Sequence, residues 1–171
     1  MRSHSHSSEI STVSPPIRCW LYCIRYKGAN MDMISGSCLC GRVEFSVQDA
    51  FVYSGYCHCS LCRKASGASG TAIGGIPKAL FSITKGEQHL KRFSRSKDTV
   101  SCFCRLCGST LYGEKPATGM VHVRYGALNS SPTRLPQAHM HVASKADWYE
   151  ISDTLPQFSE FPPGAAPPDP V

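Results

Sequence analysis

Seven cysteines at short, repeated separations constrain this chain more than any other feature: Cys38, Cys40, Cys57, Cys59, Cys62, Cys104 and Cys107. They form a C-x-C pair, a C-H-C-x-x-C group and a C-x-x-C pair, and a glycine follows both Cys40 and Cys107. A packed core does not call for thiols at such spacings, whereas a soft divalent metal does. Zinc takes thiolate sulfur at about 2.3 Å in a tetrahedron; closed four-ligand sites hold structure and three-ligand sites leave a position for chemistry. Seven divides into four plus three, so the count anticipates one site of each kind and two zinc ions per chain.

Composition decides between metal and disulfide. Ten cysteines in 171 residues is below the density of small disulfide scaffolds. No stretch reads as an export signal: the apolar run from Ile17 to Tyr26 has only six residues between Arg18 and Arg25, too few for a bilayer or a secretory core. That reading places the chain in the cytoplasm, where thiols stay reduced and metal binding prevails over disulfides. Of the formal charge of +6, residues 1–30 carry +3 (four basic residues, one acid), leaving +3 over the other 141 residues with no Lys/Arg run longer than two. A nucleic-acid footprint clusters its charge on one face or one helix, so neither nucleic acid nor membrane is expected as a partner.

The chain divides into an N-terminal extension over 1–33, expected to be disordered, a metal-binding domain over 34–160, and a proline-rich tail over 161–171. The extension is Ser- and His-rich and holds Cys19 and Cys23, whose C-x-x-x-C spacing suits few metal knuckles; Phe161 to Val171 holds five prolines. Between them the pattern is mainly β. Val43, Phe45 and Val47 alternate with polar residues, as do Val121, Val123 and Tyr125, which is the period of a half-buried strand. Short apolar runs at 71–76, 80–84, 90–93 and 99–103 add strands, and Gly74-Gly75 and Gly86 read as hairpin turns. Helix is expected only as one turn at Ser60–Ala65. The fold class is therefore a single zinc-stapled domain of short antiparallel strands.

On a strand, residues i and i+2 face the same way, so Cys38 and Cys40 can aim both sulfurs at one ion. Cys104-Arg105-Leu106-Cys107-Gly108 reads as a zinc knuckle, with Gly108 free to take the left-handed conformation that closes it. The two pairs make a four-thiolate site that closes a loop of over sixty residues. Cys57, Cys59 and Cys62 supply three more ligands, and His58 between the first two points to the opposite face. Cys102 reads as a plain buried thiol, with closure of the three-cysteine site as its alternative role.

Three blocks carry a resemblance to a known family. They are Gly36-Ser37-Cys38-Leu39-Cys40-Gly41-Arg42-Val43-Glu44-Phe45, then Cys57-His58-Cys59-Ser60-Leu61-Cys62-Arg63-Lys64-Ala65-Ser66-Gly67, then Phe103-Cys104-Arg105-Leu106-Cys107-Gly108-Ser109-Thr110-Leu111-Tyr112. In this order they resemble the glutathione-dependent formaldehyde-activating enzyme family, whose domain is shared with centromere protein V. The stretch from His139 to Pro156, with Lys145, Trp148 and Tyr149, resembles the family's end. The resemblance spans roughly residues 34–160. It implies a β-tent fold, a structural zinc on Cys38, Cys40, Cys104 and Cys107, and a catalytic zinc on Cys57, Cys59 and Cys62. It also implies the family reaction, a carbon–sulfur lyase chemistry that joins formaldehyde to the thiol of glutathione as S-hydroxymethylglutathione.

If that chemistry holds, Arg63 and Lys64 are carboxylate partners for glutathione, the alternative being solvated side chains. Ser66 and Gly67 offer hydroxyl and backbone contacts. His58, His139 and His141 are candidate proton carriers, against surface or strand-filling roles, and Trp148 reads as core. A zinc-stabilised binding module and a thiol or zinc sensor compete with the enzyme, because all three need the same cysteines.

Overall fold

A computed structural model describes residues 32–97 and 99–163. The extension 1–33 lies outside it as far as residue 31, Cys19 and Cys23 included, and the tail lies outside from residue 164. The protein is mainly β. The described residues form ten strands: β1 (Met33–Ser37), β2 (Glu44–Gln48), β3 (Tyr53–Cys57), β4 (Thr71–Pro77), β5 (Phe81–Lys85), β6 (Leu90–Ser96), β7 (Thr99–Cys104), β8 (Thr110–Lys115), β9 (Met120–Arg124) and β10 (His139–Met140). Among the described residues there is one α-helix, α1 (Ser60–Ser66), which follows β3, and short 3-10 turns link other elements.

The strands form a three-stranded sheet, β1-β2-β5, and a seven-stranded sheet, β10-β3-β4-β9-β8-β7-β6. Neighbours pair antiparallel as expected, except that the two-residue β10 runs parallel to β3. Both sheets bury one face against a common core. Val43, Phe45 and Val47 are fully buried, and so are Val121 and Val123 from the larger sheet. Phe81 bridges the two layers, with its ring 5.3 Å from Phe45 and 4.5 Å from Tyr112. Non-directional burial of apolar area holds such layers together, and the period-two alternation in the sequence decides which face takes part.

Three expectations need correction. Gly74-Gly75 is not a turn but lies inside β4. A Cβ on Gly74 would meet the Tyr125 and Phe51 rings, and one on Gly75 would meet the Tyr53 ring, so these glycines make room for aromatics rather than reverse the chain. Trp148 is not core; it is 75% exposed, because it sits in a turn after the 3-10 segment Val142–Ser144, where no sheet face covers it. The expected single turn of helix is longer, ending where Gly67 takes φ 67° and its N–H donates to the Arg63 carbonyl at 2.8 Å.

Candidate active site

The first cysteine group joins the turn after β1 to the end of β7. Cys38 and Cys40 lie in that turn rather than on the strand. It is closed by the Gly41 N–H donating to the Cys38 carbonyl at 2.9 Å and the Cys38 N–H donating to Val43 at 3.0 Å. Gly41 and Gly108 both adopt positive φ, 66° and 77°, the left-handed closure their position after a cysteine suggests. The sulfurs of Cys38, Cys40, Cys104 and Cys107 all lie within 4.8 Å of one another. Cys40 and Cys104 approach to 3.8 Å across 64 residues of sequence. The Val43 N–H donates to the Cys38 sulfur at 3.3 Å.

The second group is built by the β3–α1 junction. Cys57 ends β3, Cys59 caps the helix, and Cys62 sits in its first turn. A helix start leaves backbone N–H groups without partners, and here the Cys59 sulfur accepts from the Cys62 N–H at 3.3 Å. The three sulfurs lie within 4.8 Å of one another. Cys57, Cys62, Ile73 and Met140 form a small buried cluster separate from the main core. Each cysteine group can hold a metal ion.

The charge around the three sulfurs is uneven. Hydrogen bonds from the Cys57 and Cys59 thiols, then the Arg124 and Arg95 guanidiniums, hold Cys62 far below the ordinary thiol range. The neighbouring Cys59 and Cys62 sulfurs push Cys57 upward. Arg95 Nη1 donates toward the Cys62 sulfur at 3.6 Å and Arg124 Nη1 at 3.9 Å. They arrive from β6 and β9. Arg124 lies opposite Ile73 in the β4–β9 register, which puts its side chain on the face that carries the cysteine cluster.

His58 turns away from the sulfurs, as its position between two ligand-type cysteines suggests, and enters a buried relay. Its Nδ1 donates to the Ser69 carbonyl at 3.2 Å. Its Nε2 therefore accepts, from His139 Nδ1 at 2.8 Å. His139 Nε2 meets both oxygens of the Asp153 carboxylate at 3.0 Å. The three contacts link Asp153, His139 and His58 in one buried chain that ends on the Ser69 carbonyl. Tyr56 stacks on His139 and Tyr149 on His58, with centroids 5.1 Å and 5.7 Å apart. Burial pushes the pKa of His58 down, and the backbone N–H of Leu155, then His139, hold Asp153 below the usual carboxylate range.

The remaining sequence candidates take more local positions. Arg63 donates to the Ser144 carbonyl at 3.2 Å, Lys64 is exposed, and the Ser66 hydroxyl donates to the Cys62 carbonyl at 2.9 Å. His141 packs edge-on against Phe161 at 4.4 Å. Cys102 is fully buried, belongs to neither sulfur group, and is pushed up to about 11 by desolvation. Sequence reasoning missed Arg95, Arg124 and His122. The available signal was that His122 and Arg124 share the strand face opposite Val121 and Val123. His122 hydrogen-bonds the Tyr53 hydroxyl, and burial, then Lys115 and Arg124, push it down to about 3.

Residues 33–144 match the family described as glutathione-dependent formaldehyde-activating enzyme. A protein of Halomonas elongata, provisionally named as such an enzyme, is 32% identical over 127 residues, covering 70% of this chain and 81% of its own length. Relatives with the same provisional name from Aspergillus flavus and Aspergillus oryzae are 25% identical over 130 residues. The match takes in 72% of this chain but only 58% of each Aspergillus protein, so the chain spans less than two thirds of these fungal relatives. A crystal structure of a Rhodobacter sphaeroides protein aligns with TM-score 0.49 at 24% identity, covering 60% of this chain and 97% of that one. With three cysteine motifs in the expected order and a family match over most of the described residues, the chain belongs to the glutathione-dependent formaldehyde-activating enzyme family.

Proposed function

We propose that this protein is a zinc-dependent carbon–sulfur lyase-type enzyme acting on the adduct of glutathione, or a similar small thiol, with formaldehyde. Cys57, Cys59 and Cys62 hold the catalytic zinc, and Cys38, Cys40, Cys104 and Cys107 a structural one. The observation that carries this reading is the contrast between the two groups: four sulfurs converge in one, and three in the other with no fourth donor among the described residues. Soft, closely spaced thiols suit zinc, and an incomplete set is what a catalytic site needs. A reducing cytoplasm, where these thiols stay free, is the matching setting; among the described residues no helix is long and apolar enough to cross a membrane.

The zinc supplies a Lewis acid that lowers the pKa of a thiol bound at it. The reaction adds S–H across C=O: an S–C bond forms, the carbonyl π pair becomes a hydroxyl, and the thiol proton ends on that oxygen. Nothing is oxidised. Arg124 and Arg95, after the Cys57 and Cys59 thiols, favour the thiolate form of Cys62. His58 and His139 have both ring nitrogens engaged, so they orient the Cys57–Cys59 segment rather than carry the proton. Lys64, with Arg63, Ser66 and Gly67, borders the group along α1 and offers contacts to glutathione.

Two-dimensional exchange NMR of glutathione and formaldehyde, with the zinc-loaded full chain against Cys59→Ser, tests the reading. Exchange faster than the uncatalysed rate that disappears in the variant is the expected result. Equal rates with two zincs bound in the parent reject this substrate pair and favour a binding module or a thiol sensor.

A further inference from the structure

Among the described residues, Arg124 is a buried cation that meets no carboxylate; its one anionic neighbour is the Cys62 sulfur, 3.9 Å from Nη1. It is 7% exposed, it takes part in none of the ion pairs among the described residues, and its Nε has no hydrogen-bond partner. Buried charges are as a rule paired, or bound to a metal or ligand. Arg95 repeats the pattern: its Nη1 also points at the Cys62 sulfur and its Nε is also unpartnered. Two guanidiniums thus flank one thiolate, and each keeps donor capacity unused.

Arg124 also lines a cleft of about 750 Å³ between α1 and the Cys104–Cys107 turn. It is the one charged side chain on that lining among the described residues. Thr71, on the same lining, has a buried hydroxyl with no partner. The Ser109 and Thr110 hydroxyls there are engaged, accepting from the Leu39 N–H and donating to the Ala65 carbonyl. Nearly all buried polar groups find partners, so an idle guanidinium edge and an idle hydroxyl on one lining mark where a polar ligand completes the set. Three thiolates around a divalent metal carry one net negative charge. Two guanidiniums make the neighbourhood net positive, which favours an anionic ligand.

We propose that Arg124, backed by Arg95, anchors a carboxylate of the thiol substrate, which lies in this cleft with its sulfur toward Cys57, Cys59 and Cys62. The proposal rests on the lyase reading above and narrows its substrate class to small thiols that carry a free carboxylate. The planar guanidinium fork matches a carboxylate with two parallel N–H···O bonds.

Binding of S-methylglutathione by isothermal titration calorimetry isolates the anchor, because its blocked sulfur has no proton to give up and cannot react. With the zinc-loaded full chain, Arg124→Gln weakens binding roughly tenfold or more, Arg124→Lys weakens it less, and the dimethyl ester binds all three proteins with the same low affinity. Equal binding of acid and ester by the parent protein, or no binding of the acid, overturns the anchor whether or not the variants fold. Unchanged affinity in a folded Arg124→Gln also overturns it and assigns both arginines to Cys62 alone. Turnover without charge-dependent binding removes the anchor and leaves the lyase reading standing; charge-dependent binding without turnover does the reverse.

Discussion

Cys62 is the sulfur of its group pulled most strongly toward the thiolate, held by two thiols and two guanidiniums at once. Cys59, by contrast, combines a proposed ligand position with the helix cap. The two cysteine groups separate by mutation. Cys59→Ser is expected to lower bound zinc from two to one with little change in melting temperature, since a hydroxyl still caps a helix. Cys104→Ser removes a proposed ligand that ties segments 64 residues apart, and loss of a structural metal would be loss of folding free energy. It is therefore expected to unfold the domain at ordinary temperature. Cys102→Ser should leave both zincs bound, because its sulfur faces neither group. Metal analysis with thermal melting by circular dichroism checks all three. The cysteines were legible because short spacing confines them whatever the fold. Arg95 and Arg124 were not, since a lone arginine near a strand end reads as solvated until its surroundings are known.

At the scale of elements, the β3–α1 junction does most of the positioning. The strand delivers Cys57, one residue turns His58 away, and the helix returns Cys62 to its partners. Behind it, Asp153 reaches the junction through His139 and His58 from a segment some 95 residues downstream (153 − 58). Asp153→Asn removes the carboxylate at the end of this relay and frees His58 to turn. Groups that orient metal ligands contribute about 10- to 100-fold in metal affinity; Asp153 acts further out, through His139 and His58, so zinc proposed on Cys57, Cys59 and Cys62 should weaken by up to about tenfold. Zinc on the four-cysteine group should be unaffected. Competition with a chromophoric chelator resolves the two, the weaker site emptying first. The alternating segments in β2 and β9 were readable because a period of two needs only a one-sided core. The C-x-C pair was assigned to a strand where a turn holds it, and Gly74-Gly75 to a turn where a strand does, because local punctuation does not report which ring packs above a glycine.

As a whole molecule, two sheets close on one core while the outer face of the larger sheet carries the three-cysteine group, Arg124 and His122. Burial opposes protonation of three of the protein's imidazole rings. His122 is pushed down to about 3, and burial lowers His58 and His141, whereas free histidine titrates near 6.5. Below about pH 6.5 the unfolded chain binds protons that the folded one refuses, so stability falls as pH drops toward 3, and above 6.5 these groups add nothing further. Urea midpoints between about pH 7.5 and 5, at fixed excess zinc, should decline. His122→Asn should decline less steeply, by about one proton's worth of slope; identical slopes would place the proton uptake elsewhere. The sequence by itself determined the two thiol groups, their four-plus-three division, the β character and the family, because ligand spacing and side-chain alternation are local properties of the chain. Only the tertiary structure decided which cations meet Cys62, what locks His58, and where the cleft lies. Those contacts join residues 33, 62 and 81 positions apart, and strand pairing, which no local pattern encodes, brings them together.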